Sequence, residues 1–166
     1  MNRVGLGFDA HRFDSARPLV LGGVTIPGSP GLAGHSDADV VSHAVADALL
    51  GAAGLGDLGT LFPPTERWRG ASGLELLRVA AGRVAESGWV VSNVDVTVVC
   101  EHPRLAPWRA EMIARTADAL TIDQGALSIK ATTTDGLGFT GRSEGAAAMA
   151  VVLLEDAGSA RTSQEP

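Results

Sequence analysis

The sequence predicts a sheet covered on one face by helices and folded as one domain, on three observations. Stretches of strict apolar–polar alternation and β-branched runs take turns with stretches of helical period. A Gly-Gly pair between two apolar runs marks a hairpin. The chain has 166 residues, 45% of them hydrophobic, enough for a sizeable core.

The first strand lies in residues 3–11, where Val4, Leu6 and Phe8 alternate with Gly5, Gly7, Asp9 and His11. Alternation puts the apolar residues on one face and projects Asp9 and His11 together on the other, with glycines beneath them leaving room for an approaching group. Residues 19–26 read as a hairpin turning at Gly22-Gly23, and residues 27–34 as a Gly/Pro-rich loop. Residues 36–53 read as a helix. Ser36 is its expected N-cap, with Asp37 and Asp39 in the first turn. Val41, Ala44, Val45, Ala48, Leu49 and Ala52 form its apolar stripe. On the other side Asp39, His43 and Asp47 make an i, i+4, i+8 row aligned with Ser36, whose plainest reading is a solvated face.

Residues 54–71 are a long connection of the kind that often carries function. Ser72-Gly73-Leu74-Glu75 reads as a capping box opening a second helix, with Leu74, Leu77, Ala81 and Val84 inward and Gly88 as its stop. Residues 94–100 read as a strand, residues 107–120 as a helix and residues 127–133 as another strand. A Gly-rich loop spans residues 135–145. Residues 146–154 are ambiguous: the alanines suit a helix, and Val151, Val152, Leu153 and Leu154 suit a strand. Residues 158–166 read as a disordered tail, and no internal repeat or domain boundary is evident, which gives one domain over residues 1–157.

The net charge of −6 argues against nucleic acid as a partner, since that needs clustered Lys and Arg. The one cysteine, Cys100, cannot form an intrachain disulfide and reads as a small core residue in a reducing compartment. With no signal-peptide pattern and no long apolar run, the expectation is a cytoplasmic protein without a membrane partner.

The chemistry gathers in Asp9, His11 and His43. A carboxylate and two imidazoles, with a fourth position open, suit a catalytic zinc rather than a structural one. Spacing alone does not fold His43 back onto Asp9 and His11. Asp39 or Asp47 is a candidate to orient His43, or either is simply solvated.

Five blocks carry a resemblance: Gly-Phe-Asp-Ala-His at 7–11, Gly-His-Ser-Asp-Ala-Asp-Val at 34–40, Asp-Ala-Leu-Leu-Gly-Ala-Ala-Gly-Leu-Gly-Asp-Leu-Gly at 47–59, Asn-Val-Asp-Val-Thr at 93–97, and Lys-Ala-Thr-Thr-Thr-Asp-Gly-Leu-Gly-Phe-Thr-Gly-Arg at 130–142. In this order and spacing the chain resembles the 2-C-methyl-D-erythritol 2,4-cyclodiphosphate synthases of the non-mevalonate isoprenoid pathway. The resemblance implies an α+β fold with a mixed four-stranded sheet, a strand over residues 146–154, a small hairpin, and a homotrimer with active sites between subunits. The reaction implied is an intramolecular phosphoryl transfer on 4-diphosphocytidyl-2-C-methyl-D-erythritol 2-phosphate that closes the cyclic diphosphate and releases CMP.

Residue by residue, the resemblance implies one zinc per subunit on Asp9, His11 and His43, with His35 and Thr133 assisting the transition state. Ser36 binds beside His35. Thr132 and Thr134 flank Thr133 as phosphate donors. A second ion, magnesium or manganese, bridges the substrate phosphates at Asp135, where the family usually has glutamate. Asp57, Leu58 and Gly59 match the methylerythritol-binding segment, with Asp57 accepting from hydroxyls. Phe62, Pro63, Pro64, Thr65 and Glu66 match a mobile substrate loop, Pro64 replacing a residue that is often acidic. Cys100, Glu101, His102, Pro103, Arg104, Leu105 and Ala106 match the cytosine-binding segment, with Arg104 where lysine is frequent and His102 an incidental surface histidine. Phe139 and Arg142 complete the set, and Arg142 either clamps phosphate or forms an intersubunit ion pair. Trp68, Trp89 and Trp108 read as packing residues.

Two other readings stand beside this one. A zinc-dependent phosphodiesterase needs a base to position water, and only Asp57 offers itself. A non-catalytic nucleotide-binding module does not need His35, Asp57, Thr133 and a metal set together.

Overall fold

The computed structural model describes residues 1–158. The tail expected over residues 158–166 lies outside them except for Gly158. In chain order the elements are β1 (Asn2–Leu21), β2 (Val24–Leu32), α1 (Val40–Ala53), the one-turn α2 (Leu58–Leu61), α3 (Gly73–Glu86), β3 (Trp89–Val99), α4 (Arg109–Leu120), β4 (Leu127–Thr132), the short α5 (Gly138–Gly141) and β5 (Gly145–Asp156). The ambiguous stretch is therefore a strand, paired on one side with β1 and on the other with β3.

One five-stranded sheet runs in the order β2-β1-β5-β3-β4. It is mixed, with β3–β4 parallel and the other pairs antiparallel. The expected four strands plus a separate hairpin merge because β1 is long. Its first half pairs with β5 over Asn2–Arg12, and its second half pairs with β2 from Phe13 onward. The hairpin turns where expected, with Gly22 at φ 56° and Gly23 at φ 73°. Positive φ at both turn residues matches the strand twist.

Helix α1 is the centre of the core. All of it is buried except Asp47 and Gly51, so the expected solvated row is not a solvated face. The helix lies on the glycine side of β1. A Cβ on Gly5 would collide with the Ala48 carbonyl, and one on Gly7 with the Ala44 carbonyl. The alternation in β1 holds, but its apolar face points the other way: Val4 is 69% exposed, Leu6 70% and Phe8 57%.

The start of α1 differs from expectation. Asp39, not Ser36, is the N-cap, and it accepts from the Val41 and Ser42 backbone N–H groups. Asp37 and Ser36 lie before the helix. The same Asp39 carboxylate accepts from the hairpin N–H groups of Gly22 and Gly23, each at 2.8 Å, and from the Ser42 hydroxyl at 2.7 Å. Two elements distant in sequence thus decide which carboxylate caps the helix. The capping box at Ser72 also gives way. The Ser72 side chain makes no cap bond, and Asp37 instead accepts from the Gly73 N–H at 2.8 Å.

Candidate metal centre

The alternation in β1 turns Asp9 and His11 toward α1, and His43 meets them from the first turn of that helix. His43 Nδ1 lies 3.0 Å from Asp9 Oδ2, and His11 Nε2 lies 3.2 Å from the same oxygen. One ligand atom from each of the three residues falls within 4.8 Å of the others, close enough to hold one metal ion. Burial alone would raise the Asp9 carboxyl. Hydrogen bonds from His11 and His43, and then their charge, hold it well below the usual carboxylate range. The Asp9 hydrogen bond raises the His11 pKa against the opposing effect of burial.

Neither Asp39 nor Asp47 orients His43. The Asp39 carboxylate is engaged by the hairpin and the helix N-terminus, and Asp47 accepts from the Leu58 N–H at 3.1 Å. The ring of His43 is held instead by Asp9 and by Ser36, whose Oγ is 3.1 Å from Nε2. His11 is held by the Ala33 carbonyl, 2.6 Å from Nδ1. A carbonyl only accepts, so that nitrogen carries the proton and Nε2 is left to face the cluster. The donor set fits a divalent cation: three ligand atoms converge, and each imidazole is braced on its far side.

The cluster opens into a cavity that gathers much of the predicted site. His35, Ser36, Leu58, Gly59, Phe62 and Pro64 line it with the three ligands. Trp68 and Leu76, which the sequence did not single out for this role, line it too. Trp68 packs edge-on against Phe62 with ring centroids 4.9 Å apart, so it is both a packing residue and a wall of the site. His35 Nε2 lies 2.7 Å from the Thr65 carbonyl and therefore presents an N–H. Asp57 borders an adjoining hollow with Asp9, His43 and Asp47, and caps α2 through the Thr60 N–H at 2.7 Å. That bond and the Thr60 hydroxyl lower its pKa. Pro63 and Glu66 are exposed, and Glu66 pairs with Arg69 at 2.6 Å.

The other predicted residues form a second cavity at the ends of β3 and β4. Residues 100–106 line it with Thr132, Thr133 and the unforeseen Arg109. Beside it, Thr133 Oγ1 donates to Asp135 Oδ1 at 3.2 Å. The Thr134 backbone N–H donates to Glu101 at 3.0 Å, and its hydroxyl donates to the Leu137 carbonyl at 2.6 Å, so Thr134 folds the loop. Burial and then the charge of Glu101 push the Cys100 thiol up to about 11, in keeping with a core residue. His102 is exposed as expected. Phe139 is 40% exposed, and Arg142 forms an ion pair within the chain, to Glu144 at 2.8 Å. The two cavities share no lining residue, so one chain does not bring residues 100–106 and Thr133 against the metal ligands.

The fold and the cluster define an α+β protein with a carboxylate–imidazole cluster able to hold a metal ion beside a concave site. The chain belongs to the YgbB family, whose sequence profile matches residues 2–155. It is 53% identical over 156 residues to the 2-C-methyl-D-erythritol 2,4-cyclodiphosphate synthase of Salinibacter ruber, covering 93% of this chain and 99% of that protein. It is 56% identical over 151 residues to the bifunctional enzyme IspD/IspF of Anaeromyxobacter dehalogenans, covering 90% of this chain but only 39% of that longer protein. A solved CDP complex of IspF from Plasmodium falciparum superposes with a TM-score of 0.82 at 32% identity, covering 93% of this chain and 96% of that one.

Proposed function

We infer that this chain converts 4-diphosphocytidyl-2-C-methyl-D-erythritol 2-phosphate to 2-C-methyl-D-erythritol 2,4-cyclodiphosphate and CMP, a step of isoprenoid precursor biosynthesis. The observation that carries the reading is the Asp9–His11–His43 cluster opening into a cavity that also holds His35. Full-length relatives bearing that name support it.

An oxygen of the 2-phosphate attacks the β-phosphorus and forms the new P–O bond. The bond from the β-phosphorus to the bridging oxygen breaks, and CMP leaves with that oxygen and its electron pair. Nucleophile and electrophile are both anionic, so the site must supply neutralising contacts and hold the two ends together. His35 exchanges its Thr65 carbonyl for a phosphate oxygen and donates its Nε2–H there. The Thr133 hydroxyl donates to the same group, and Asp57 accepts from the methylerythritol hydroxyls with the oxygen that does not cap α2. Residues 100–106 cradle the cytidine end, with Arg104 and Arg109 as its local positive charge.

Asp9, His11 and His43 hold zinc, which when bound polarises phosphate oxygens as a Lewis acid. Asp135 would hold magnesium or manganese, which would supply neutralising charge to the diphosphate; its exposed carboxylate keeps acceptor capacity beyond the Thr133 bond. Asp135→Ala is expected to raise the magnesium concentration needed for half-maximal turnover by about tenfold, with zinc content by atomic absorption unchanged.

The active form is a homotrimer with sites between subunits. Two features support this: the separation of the two cavities, and the bare apolar sheet face of Val4, Leu6, Phe8, Met149 and Val151. Across β1 and β5 the pairs Leu6–Val151 and Phe8–Met149 make that face continuous. Leu6→Glu is expected to give monomers in light scattering and to abolish turnover while zinc content persists. A trimeric, active Leu6→Glu would overturn the assignment of that face. The catalytic unit is a single domain over residues 1–157. Its setting is the cytoplasm, consistent with the free, buried Cys100 and with the absence, among the described residues, of a helix long and apolar enough to cross a membrane.

Phosphorus NMR of the protein with substrate, zinc and magnesium tests the reaction. CMP with a cyclic diphosphate is the expected result. CMP with a linear phosphate identifies a hydrolase, and bound but unreacted nucleotide identifies a binding module.

A further inference from the structure

The two imidazoles of the cluster are braced by different chemistry. Behind His11 stands the Ala33 carbonyl, which can only accept, so the Nδ1 proton is fixed there. Behind His43 stands a hydroxyl. Ser36 Oγ is 3.1 Å from Nε2, and Ser36 is only 8% exposed. A hydroxyl can either donate or accept. The Ala38 N–H, 3.2 Å away, takes one acceptor position and leaves the O–H and a second lone pair for His43.

That freedom matches what His43 must do. His43 Nδ1 lies 3.0 Å from Asp9 Oδ2, and when Nδ1 donates its proton to that carboxylate, Ser36 donates to Nε2. With Nδ1 given to a cation, the ring proton sits on Nε2, and Ser36 accepts it. Ser36 is itself fixed by Arg17, whose guanidinium donates to the Gly34 carbonyl at 2.6 Å and to the Ser36 carbonyl. The clamp comes from the β1 side of the hairpin, so it ties the backbone that carries the hydroxyl to the same strand that carries Asp9 and His11.

We propose that Ser36 is a positioning residue: its hydroxyl orients the His43 ring and accepts Nε2–H when Nδ1 binds a divalent cation together with Asp9 and His11. The proposal rests on the metal-centre reading given above. It replaces a contact to substrate with a contact to a ligand residue as the main work of this side chain.

The test uses the full chain, stripped of metal and titrated with zinc against a chromophoric chelator, and in parallel loaded with cobalt(II) for proton NMR. Ser36→Ala is expected to weaken zinc binding by about ten- to a hundredfold, the range for removing a group that braces a metal ligand. The cobalt form of the unaltered chain is expected to show two shifted, exchangeable imidazole N–H signals, one from each histidine. In Ser36→Ala the His43 signal is lost to fast exchange with solvent, and the His11 signal, backed by Ala33, persists. Failure of the unaltered chain to bind either metal would overturn the metal-centre reading and this proposal with it. Unchanged affinity with both signals retained in Ser36→Ala would overturn the role of Ser36 alone. Loss of both signals together would also overturn it, since the hydroxyl would then be holding the cluster as a whole and not His43.

Discussion

His43→Ala is expected to lower turnover by about a thousandfold or more while leaving the fold in place. His43 is 5% exposed, its ring nitrogens bond Asp9 and Ser36, and it lines the site cavity, so its removal enlarges a cavity that already exists. Alanine is the best helix former, and the position lies inside α1 between Ser42 and Ala44. Zinc content should fall with activity, because only Asp9 and His11 remain as ligands. The melting temperature, compared at one protein concentration, should move by no more than a few degrees, about what a loss of 1 kcal/mol gives. Initial rates by phosphorus NMR and metal content by atomic absorption check both halves. A variant that turns over normally without zinc would show that the cluster is structural.

Asp39→Ala should do the opposite, wrecking stability before chemistry. The carboxylate has no exposure, and its partners are the N–H groups of Gly22, Gly23, Val41 and Ser42 and the hydroxyl of Ser42. Alanine strands these donors in the interior, where each unsatisfied group costs about 1–3 kcal/mol. Partial relaxation and water entry make the total smaller than the sum, about 3–5 kcal/mol. Urea unfolding at fixed protein concentration measures it. A loss below about 1 kcal/mol would mean that neither the hairpin turn nor the helix start depends on this residue.

The sequence made most element positions legible, and Asp9 and His11 as neighbours, because each rests on a local rule; His43 joined them only through the resemblance. Alternation placed Asp9 and His11 on one side of β1, and Gly22-Gly23 marked the turn. Features decided by tertiary contact were not legible. Ser36 and Asp39 are both good N-caps, and the choice fell to Asp39 because the hairpin N–H groups reach it. The face of β1 that packs inward was set by the need of α1 for bare backbone, not by hydrophobicity. The orienting contact to His43 was sought among acids on the helix face and found in a loop serine seven residues before it. Trp68 gave no signal for the site, since a tryptophan in a Gly/Pro-rich connection packs as readily elsewhere.

The glycines of β1 act as a spacer of zero thickness. Because Gly5 and Gly7 present no side chain, α1 rests directly on the strand, and the Asp9–His43 gap closes to 3.0 Å. A methyl at either position would wedge the helix away from the strand, and the ligands it carries would be pulled out of bonding range of their partners. The spacing of the Asp9–His11–His43 cluster is thus set by two residues outside it, and the depth at which α1 sits fixes the distance between ligand atoms as much as it fixes packing.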